Sequence, residues 1–571
     1  MTPVSISVTD PDAIDALVGA GRWLVSGATA AEVATAGDSS GAAAVASFLR
    51  RYPNASVIAL DGGSVVLGRG LHSGHERFYT IVGNLVISDH FRNVSTMLAR
   101  DSRVVDEYSV LYLYLFAASF GRRTPLAPVR KLGLGDVAEL TRDSRDPEPR
   151  VVDRLDVTPD LVDTEEILST IDEALGRAME EALRGAGATA IQFSGGVDST
   201  LLRSYGDAGV DTVSMAPDVP EFAQELDYAR SAADVLGIEY TTVPFTEEQF
   251  AQLLEQAARS GGTPMRYPSS PMFEALYGER YRRFIDGEGA DGGFGASMPQ
   301  ATAAIRLRGP MGQYALRFVA MLAPGKYRPK AQRLVVAARR MGIPPPDLAA
   351  FAYGNAGVRA TELPEAADVA VADVEHVLSE AYDYVLSRFE PAAAEDDVVS
   401  RNLELRHTIF SMTDDASSSR QPAQAHGKGV RTPFTDAGVV RTAARVPPHL
   451  RYARGMQGKW MLKEVLGRRV PQYPKDRMKM PTYLGVDRFI RSGALRDVWD
   501  RYQIPSIFNA ETQAEIRVGD GPFHWLALAH AVWEEEMVRG DVPPIDAPLV
   551  IDGSLGDEPG SLNEPPVYPR S

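Results

Sequence analysis

Two stretches of this sequence set acids among paired glycines directly after apolar runs. The first is IQFSGGVDSTLL, Ile191 to Leu202. Adjacent glycines between a strand and a helix let the backbone approach a ligand closely and turn its N–H groups towards it. A helix beginning just behind them adds partial positive charge, which suits a phosphate. Ser194, Ser199 and Thr200 offer hydroxyl donors beside Gly195 and Gly196. Asp198 would repel a bare phosphate and makes sense there only if it holds Mg2+. The Gly-Lys-Ser/Thr ending of a Walker loop is missing, and so is a GxGxxG spacing. A plain strand–helix turn would usually need one glycine, not two. The second stretch is IDGEGADGGFG, Ile285 to Gly295, another glycine-rich turn, carrying Glu288 and Asp291. Alone, such a turn is more often a solvated loop. A basic pair, Arg477 and Lys479 in KDRMKMPTYLG, reads in isolation as an exposed turn.

The elements that must position these residues follow from periodicity. Asp163 is a plausible helix N-cap with Glu166 three residues on. Ile167, Ile171, Leu175, Met179 and Leu183 then make one buried stripe, and Gly185 and Gly187 stop the helix. ATAIQF reads as a short buried strand ahead of the first turn, and STLLRSY starts a helix. Further strands are expected at Thr212–Met215, Tyr240–Val243 and Arg283–Asp286, with a helix from Gln224 to Leu236 ended by Gly237. Strands alternating with helices predict a doubly wound parallel sheet, whose ligands bind beyond the carboxyl ends of the strands. Upstream, VIAL-DGG-SVVLG and FYTIVGNLVISD read as β-hairpins. The expected organisation is a β-rich domain over 1–141, a charged, proline-containing linker over 142–163, an α/β domain with helical additions over 164–540, and a proline-rich, frayed tail over 541–571.

Composition excludes several classes. The net charge is −17, from 59 basic and 76 acidic residues, which argues against nonspecific nucleic-acid binding. There is no cysteine, hence no disulfide, thiolate metal site or cysteine nucleophile. No stretch approaches the ~20 apolar residues of a membrane span, and the N-terminus does not read as a secretory signal. The cytoplasm is the expected compartment.

SGGVDS resembles the PP-loop of ATP pyrophosphatases, which cleave ATP between the α and β phosphates and adenylate a substrate oxygen. IDGEGADGGFG resembles the SGEGxDExFGG segment of asparagine synthetases. VRTPFTDAGVV, GKWMLKEVLGRRVP and the Arg477–Lys479 pair then resemble, in order, that family's R-x-PF-x-D, K-x-x-LRE and R-x-K stretches. The resemblance runs from about Thr164 to Val538 and implies an ATP-dependent, AMP-forming carbon–nitrogen ligase. It implies ATP contacts from Ser194, Gly195, Gly196, Asp198, Ser199, Thr200, Met215 and Gly287, and a Mg2+ site at Asp198 and Asp291. Glu288 would assist the attacking amine, and Lys479 with Arg477 would face pyrophosphate and the acyl intermediate. Lys459 and Asp436 carry a weaker signal, because both could simply cap or pair on helices. The N-terminal domain is similar to that family's Ntn-hydrolase-like glutaminase domain.

A glutamine-using member needs a cysteine as its first residue, whereas this chain starts Met1-Thr2-Pro3. The domain is therefore expected to be a degenerate glutaminase, with the amine coming from elsewhere. Three branches use such a chain: lasso-peptide macrolactam cyclases, β-lactam synthetases and ammonia-dependent asparagine synthetases. β-Lactam synthetases replace the turn glutamate by tyrosine, and Glu288 weighs against them. Arg306 to Arg340 carries nine Arg/Lys and no Asp or Glu. A solvated helical face explains such a run most often. A docking surface for an acidic precursor peptide would suit a cyclase, which would also have a partner protease or leader-binding protein. A silent scaffold would have no reason to keep Asp198, Glu288, Asp291 and Lys479 together. RNA-modifying PP-loop enzymes would want a basic surface and often cysteines.

Overall fold

In the computed structural model the described residues are 2–18, 21–37, 41–61, 63–82, 84–141, 144, 146–185, 187–207, 209–295, 307, 309–322, 335, 360–390, 398–454, 457–474 and 485–555. The N-terminal part is a sandwich of two sheets. One has the order Leu549–Leu555, Thr2–Val8, Leu85–Ser88, Phe78–Thr80, Arg130–Lys131. The other has the order Arg150–Val151, Asp136–Thr141, Ser64–Arg69, Ser56–Asp61, Gly21–Ser26, Ile14–Val18. Strand periodicity decides which face each residue serves. Ile58 and Leu60 point between the sheets with Ile6 and Ile87, while Val57 and Ala59 pack under Phe48 and Leu49 of helix Gly41–Arg51. Both hairpins form as the turn signals indicate: Ser56–Asp61 with Ser64–Arg69, and Phe78–Thr80 with Leu85–Ser88.

Two boundaries differ from the sequence reading. The tail is not frayed throughout, because Leu549–Leu555 pairs antiparallel along the whole of Thr2–Val8. A β-branched run beyond several prolines has no local sign of its partner, which lies at the other end of the chain. The linker also contributes structure. Arg150–Val151 extends the second sheet, and Leu155 and Leu161 are buried.

The C-terminal part is built on a five-stranded parallel sheet in the order Thr241–Phe245, Asp211–Pro217, Thr189–Gln192, Arg283–Ile285, Gly429–Arg431. Helix Thr164–Leu183 starts where its cap signal lies, with the Asp163 carboxylate accepting the Glu166 N–H at 3.0 Å. Its stripe of Ile167, Ile171, Leu175 and Met179 packs one face of the sheet together with Leu201, Leu202 and Leu462. Tyr277, Tyr281, Phe284 and Val430 fill the other face. The edge strand Gly429–Arg431 is not among the expected strands, since three residues are too few to show an alternation. Helices Val371–Ser387, Val398–Phe410, Ala416–Ala425 and His524–Trp533 supply the helical additions. Among the described residues no helix is long and apolar enough to cross a membrane. Of the basic segment, helix Pro310–Leu322 is described, and Arg317 alone of its nine basic residues lies within the described residues.

Buried polar contacts join sandwich and sheet. Asp12 Oδ2 accepts from Arg283 Nη2 and Arg431 Nη2, each at 2.8 Å, so one carboxylate clamps two neighbouring strands. His90 is fully buried, and its Nδ1 accepts the Arg92 N–H at 3.2 Å. The ring proton therefore sits on Nε2, facing the carbonyls of Ser260 (3.0 Å) and Gln421 (2.9 Å). Burial, only partly offset by those carbonyls, holds the imidazole down to about 4, against 6.5 when free. The unfolded chain thus binds this proton first as pH falls. Stability is full above pH 6.5 and drops below it by about 1.4 kcal/mol per pH unit for each such histidine, until about pH 4. His90→Gln should flatten the fall in urea-midpoint stability between pH 7 and pH 5, and a slope identical to the parent would refute this account.

Candidate active site

The first glycine turn closes on itself. Phe193 N–H continues the sheet by donating to the Val213 carbonyl at 2.8 Å. Gly195 then takes φ 68°, and a Cβ on it would lie 2.5 Å from the Tyr228 carbonyl oxygen and 2.7 Å from Ala229 Cα. Only glycine fits there. The Ser194 N–H donates to Ser199 Oγ at 3.2 Å, the Gly196 N–H donates to Ser194 Oγ at 3.3 Å, and the two hydroxyl oxygens are 3.2 Å apart. Tyr473 donates to the Gly195 carbonyl at 3.0 Å from outside the turn. Two backbone N–H groups are thus aimed at small oxygen acceptors, the hydroxyls themselves in this state. Ser194 is exposed and Gly196 half-buried, whereas Thr200 is fully buried. Met215 is half-buried on the adjacent strand and packs against apolar neighbours.

The second turn leaves the next strand of the sheet, Arg283–Ile285, and abuts the first. A Cβ on Gly287 would stand 3.2 Å from Asp198 Cβ. Gly289 has φ 89° and lies against the Thr435 methyl, and Gly292 lies against Ser411. Glu288 is half-buried, with its N–H donating to Asp286 Oδ1 at 3.2 Å. Asp291 falls in the first turn of helix Ala290–Phe294.

Lys459 joins the two turns. Its Nζ lies 2.6 Å from Asp198 Oδ2 and 2.6 Å from Asp291 Oδ1. It precedes helix Trp460–Arg469, which packs on the helix following the first turn. Its backbone has φ 55°, a left-handed conformation that costs a non-glycine residue on the order of 1 kcal/mol. Burial works against the charge of this ammonium, but the carboxylates of Asp198 and Asp291 outweigh it and raise its pKa above the usual lysine value. Asp198 Oδ1 is buried without a hydrogen-bond partner among the described residues. Two converging carboxylates with a spare buried oxygen fit a hard cation such as Mg2+, which takes one or two protein carboxylates and fills its shell with phosphate oxygens and water. Among the described residues no group of three or more His, Asp or Glu could hold a metal.

The structure therefore brings Ser194, Gly195, Gly196, Asp198, Ser199, Gly287, Glu288 and Asp291 to two touching turns beyond the carboxyl ends of adjacent strands. Arg477 and Lys479 lie outside the described residues. Among the described residues the cation that meets both acids is Lys459, which the sequence left as a possible cap or pairing residue. The usable signal was its lysine-before-helix match in GKWMLKE. Asp436 is such a structural residue: it caps its helix through the Gly438 N–H at 2.8 Å and accepts from Asn54 Nδ2 at 2.7 Å.

A family model described as asparagine synthase matches residues 170–512, more than half of the chain. No curated protein matches it. Removing the ammonium leaves two carboxylates facing each other without compensation. Lys459→Met should lower stability by about 1–3 kcal/mol in chelator-treated buffer, and adding Asp198→Asn should restore part of it. Additive losses in that double-mutant cycle would show that the three groups are not coupled.

Proposed function

This chain belongs to the asparagine synthase family of ATP-dependent amide ligases, and we propose that it adenylates a carboxylate, releases pyrophosphate and passes the acyl group to an amine. The observation that carries this reading is the meeting of Asp198, Asp291 and Lys459 at the two glycine turns. A carboxylate oxygen attacks the α-phosphorus of ATP, the bond from that phosphorus to the β-bridging oxygen breaks, and pyrophosphate leaves. The amine nitrogen then attacks the acyl carbon, AMP leaves with the former carboxylate oxygen, and the nitrogen loses a proton to Glu288. The N–H groups of Ser194 and Gly196 and the hydroxyls of Ser194 and Ser199 bind phosphate oxygens, replacing the contacts they now make with each other. Asp198 and Asp291 hold Mg2+, which when bound supplies charge neutralisation to the triphosphate. Lys459, beside them, offsets the charge that develops on pyrophosphate, and Lys479 and Arg477 are assigned the same duty.

The amine is part of the substrate or free in solution, because these 571 residues contain no cysteine to release ammonia from glutamine. Together with Glu288 and the basic run Arg306 to Arg340, this favours a lasso-peptide-type macrolactam cyclase acting on a precursor peptide in the cytoplasm, in natural-product biosynthesis. On this reading the N-terminal sandwich is a degenerate glutaminase domain kept as a scaffold. An ammonia-dependent asparagine synthetase or another small-molecule amide synthetase is the alternative. ATP–pyrophosphate exchange with acidic peptides, aspartate and other small amino acids as the carboxylate separates them. Exchange supported by aspartate but not by peptides would exclude the cyclase. With the active substrate, Asp198→Ala should abolish AMP formation, and normal AMP release from it would sink the assignment of the site. Glu288→Gln should slow amide formation at least tenfold more than pyrophosphate exchange, as expected for a group that serves only the second step.

A further inference from the structure

A second cleft, of about 390 Å³, lies between the N-terminal sandwich and the outer edge of the parallel sheet. None of the residues of the first glycine turn lines it. Its charged walls are Arg184, Arg283, Arg420 and Arg431 against Asp12, Glu181 and Asp436. The acids are engaged. Asp12 accepts from Arg283 and Arg431 at 2.8 Å, Glu181 pairs with Arg184 at 2.6 Å, and Asp436 holds Asn54 and the Gly438 N–H.

That accounting leaves Arg420. It is 5% exposed, and its Nη2 donates to the Val430 carbonyl at 3.3 Å. Its Nε and Nη1 have no hydrogen-bond partner among the described residues. The guanidinium lies directly on Gly74, where a Cβ would fall 1.7 Å from Nη1. A glycine at 74 is therefore what leaves the arginine room. Burial, and the charge of Arg431, push this guanidinium down to about 10, with Asp10 and Asp286 opposing. His72 is buried on the same cleft, and neither of its ring nitrogens has a partner among the described residues. Burial and Arg441 hold it at about 3, so the ring is neutral and carries one proton to donate. A buried cation with two idle donors is costly unless an anion meets it.

We propose that this cleft binds a small, singly charged carboxylate, with Arg420 as its counter-ion and His72 as a second donor. Only one of the lining guanidiniums, Arg420, lacks a carboxylate bonded to it, and Asp10 and Asp286 already oppose part of its charge, which favours a monoanion over phosphate. The proposal does not depend on the ATP site. Thr435 lines the cleft and packs on Gly289, one residue past Glu288, so an occupant would sit one layer behind that turn.

Titration calorimetry on the full chain, with propionate and with inorganic phosphate at fixed ionic strength, tests the proposal. Propionate should bind saturably and more tightly than phosphate. Arg420→Gln should weaken it at least about tenfold, since hydrogen bonds to charged groups are worth about 1.5–3 kcal/mol. Asp198→Ala, at the other site, should leave it unchanged. Should Arg420→Gln fail to fold, His72→Ala keeps the cation and should still weaken propionate several-fold. Absence of saturable binding, preference for phosphate, or affinity unmoved in every folded variant would each overturn it.

Discussion

One ammonium holds the centre of this protein together. Lys459 is bonded at 2.6 Å to two carboxylates borne by two different glycine turns. It sets an opposite charge between the two acids, which would otherwise converge as like charges. The turns in turn require Gly195, where a Cβ would strike the Tyr228–Ala229 backbone, and Gly289, where it would strike the Thr435 methyl, while Gly287 leaves room for the Asp198 side chain. A third element, helix Trp460–Arg469, must then deliver the lysine from a strained left-handed residue. Strain retained at such a point is typical of a functional site.

The second constraint is the docking of the sandwich. An apolar core shared with the C-terminal helices, in which Leu111 and Leu113 to Phe116 meet Phe250, Val377 and Leu528, anchors it, and polar contacts tie it to the sheet. The Asp12 carboxylate bridges Arg283 and Arg431, and Asp89 accepts the N–H groups of Thr9 and Asp10 while meeting Gln424. Such contacts fix orientation more than they add stability, since burying charged partners consumes most of what their attraction returns. A domain joined this way holds the edge strand Gly429–Arg431 and the following Thr432–Asp436 segment in place, and that segment backs the turn carrying Glu288. The sandwich thus has a structural part in the site whether or not it performs chemistry.

The sequence by itself determined the α/β class, both hairpins, the capped helix Thr164–Leu183 and the two glycine turns. These depend on periodicities and caps that act within a dozen residues. It also marked Asp198, Glu288 and Asp291, because the two turns follow each other in the order and spacing of the asparagine-synthetase motifs they resemble. Tertiary structure alone decided three things. It paired Leu549–Leu555 with Thr2–Val8, it added Gly429–Arg431 as the fifth strand, and it chose Lys459 as the partner of both acids. Each joins residues far apart in the chain, and the contact partner of a strand or a lysine is not encoded by its neighbours. The meaning of Lys459 came from the two carboxylates it meets, 261 and 168 positions upstream, and only the packed fold brings those charges together.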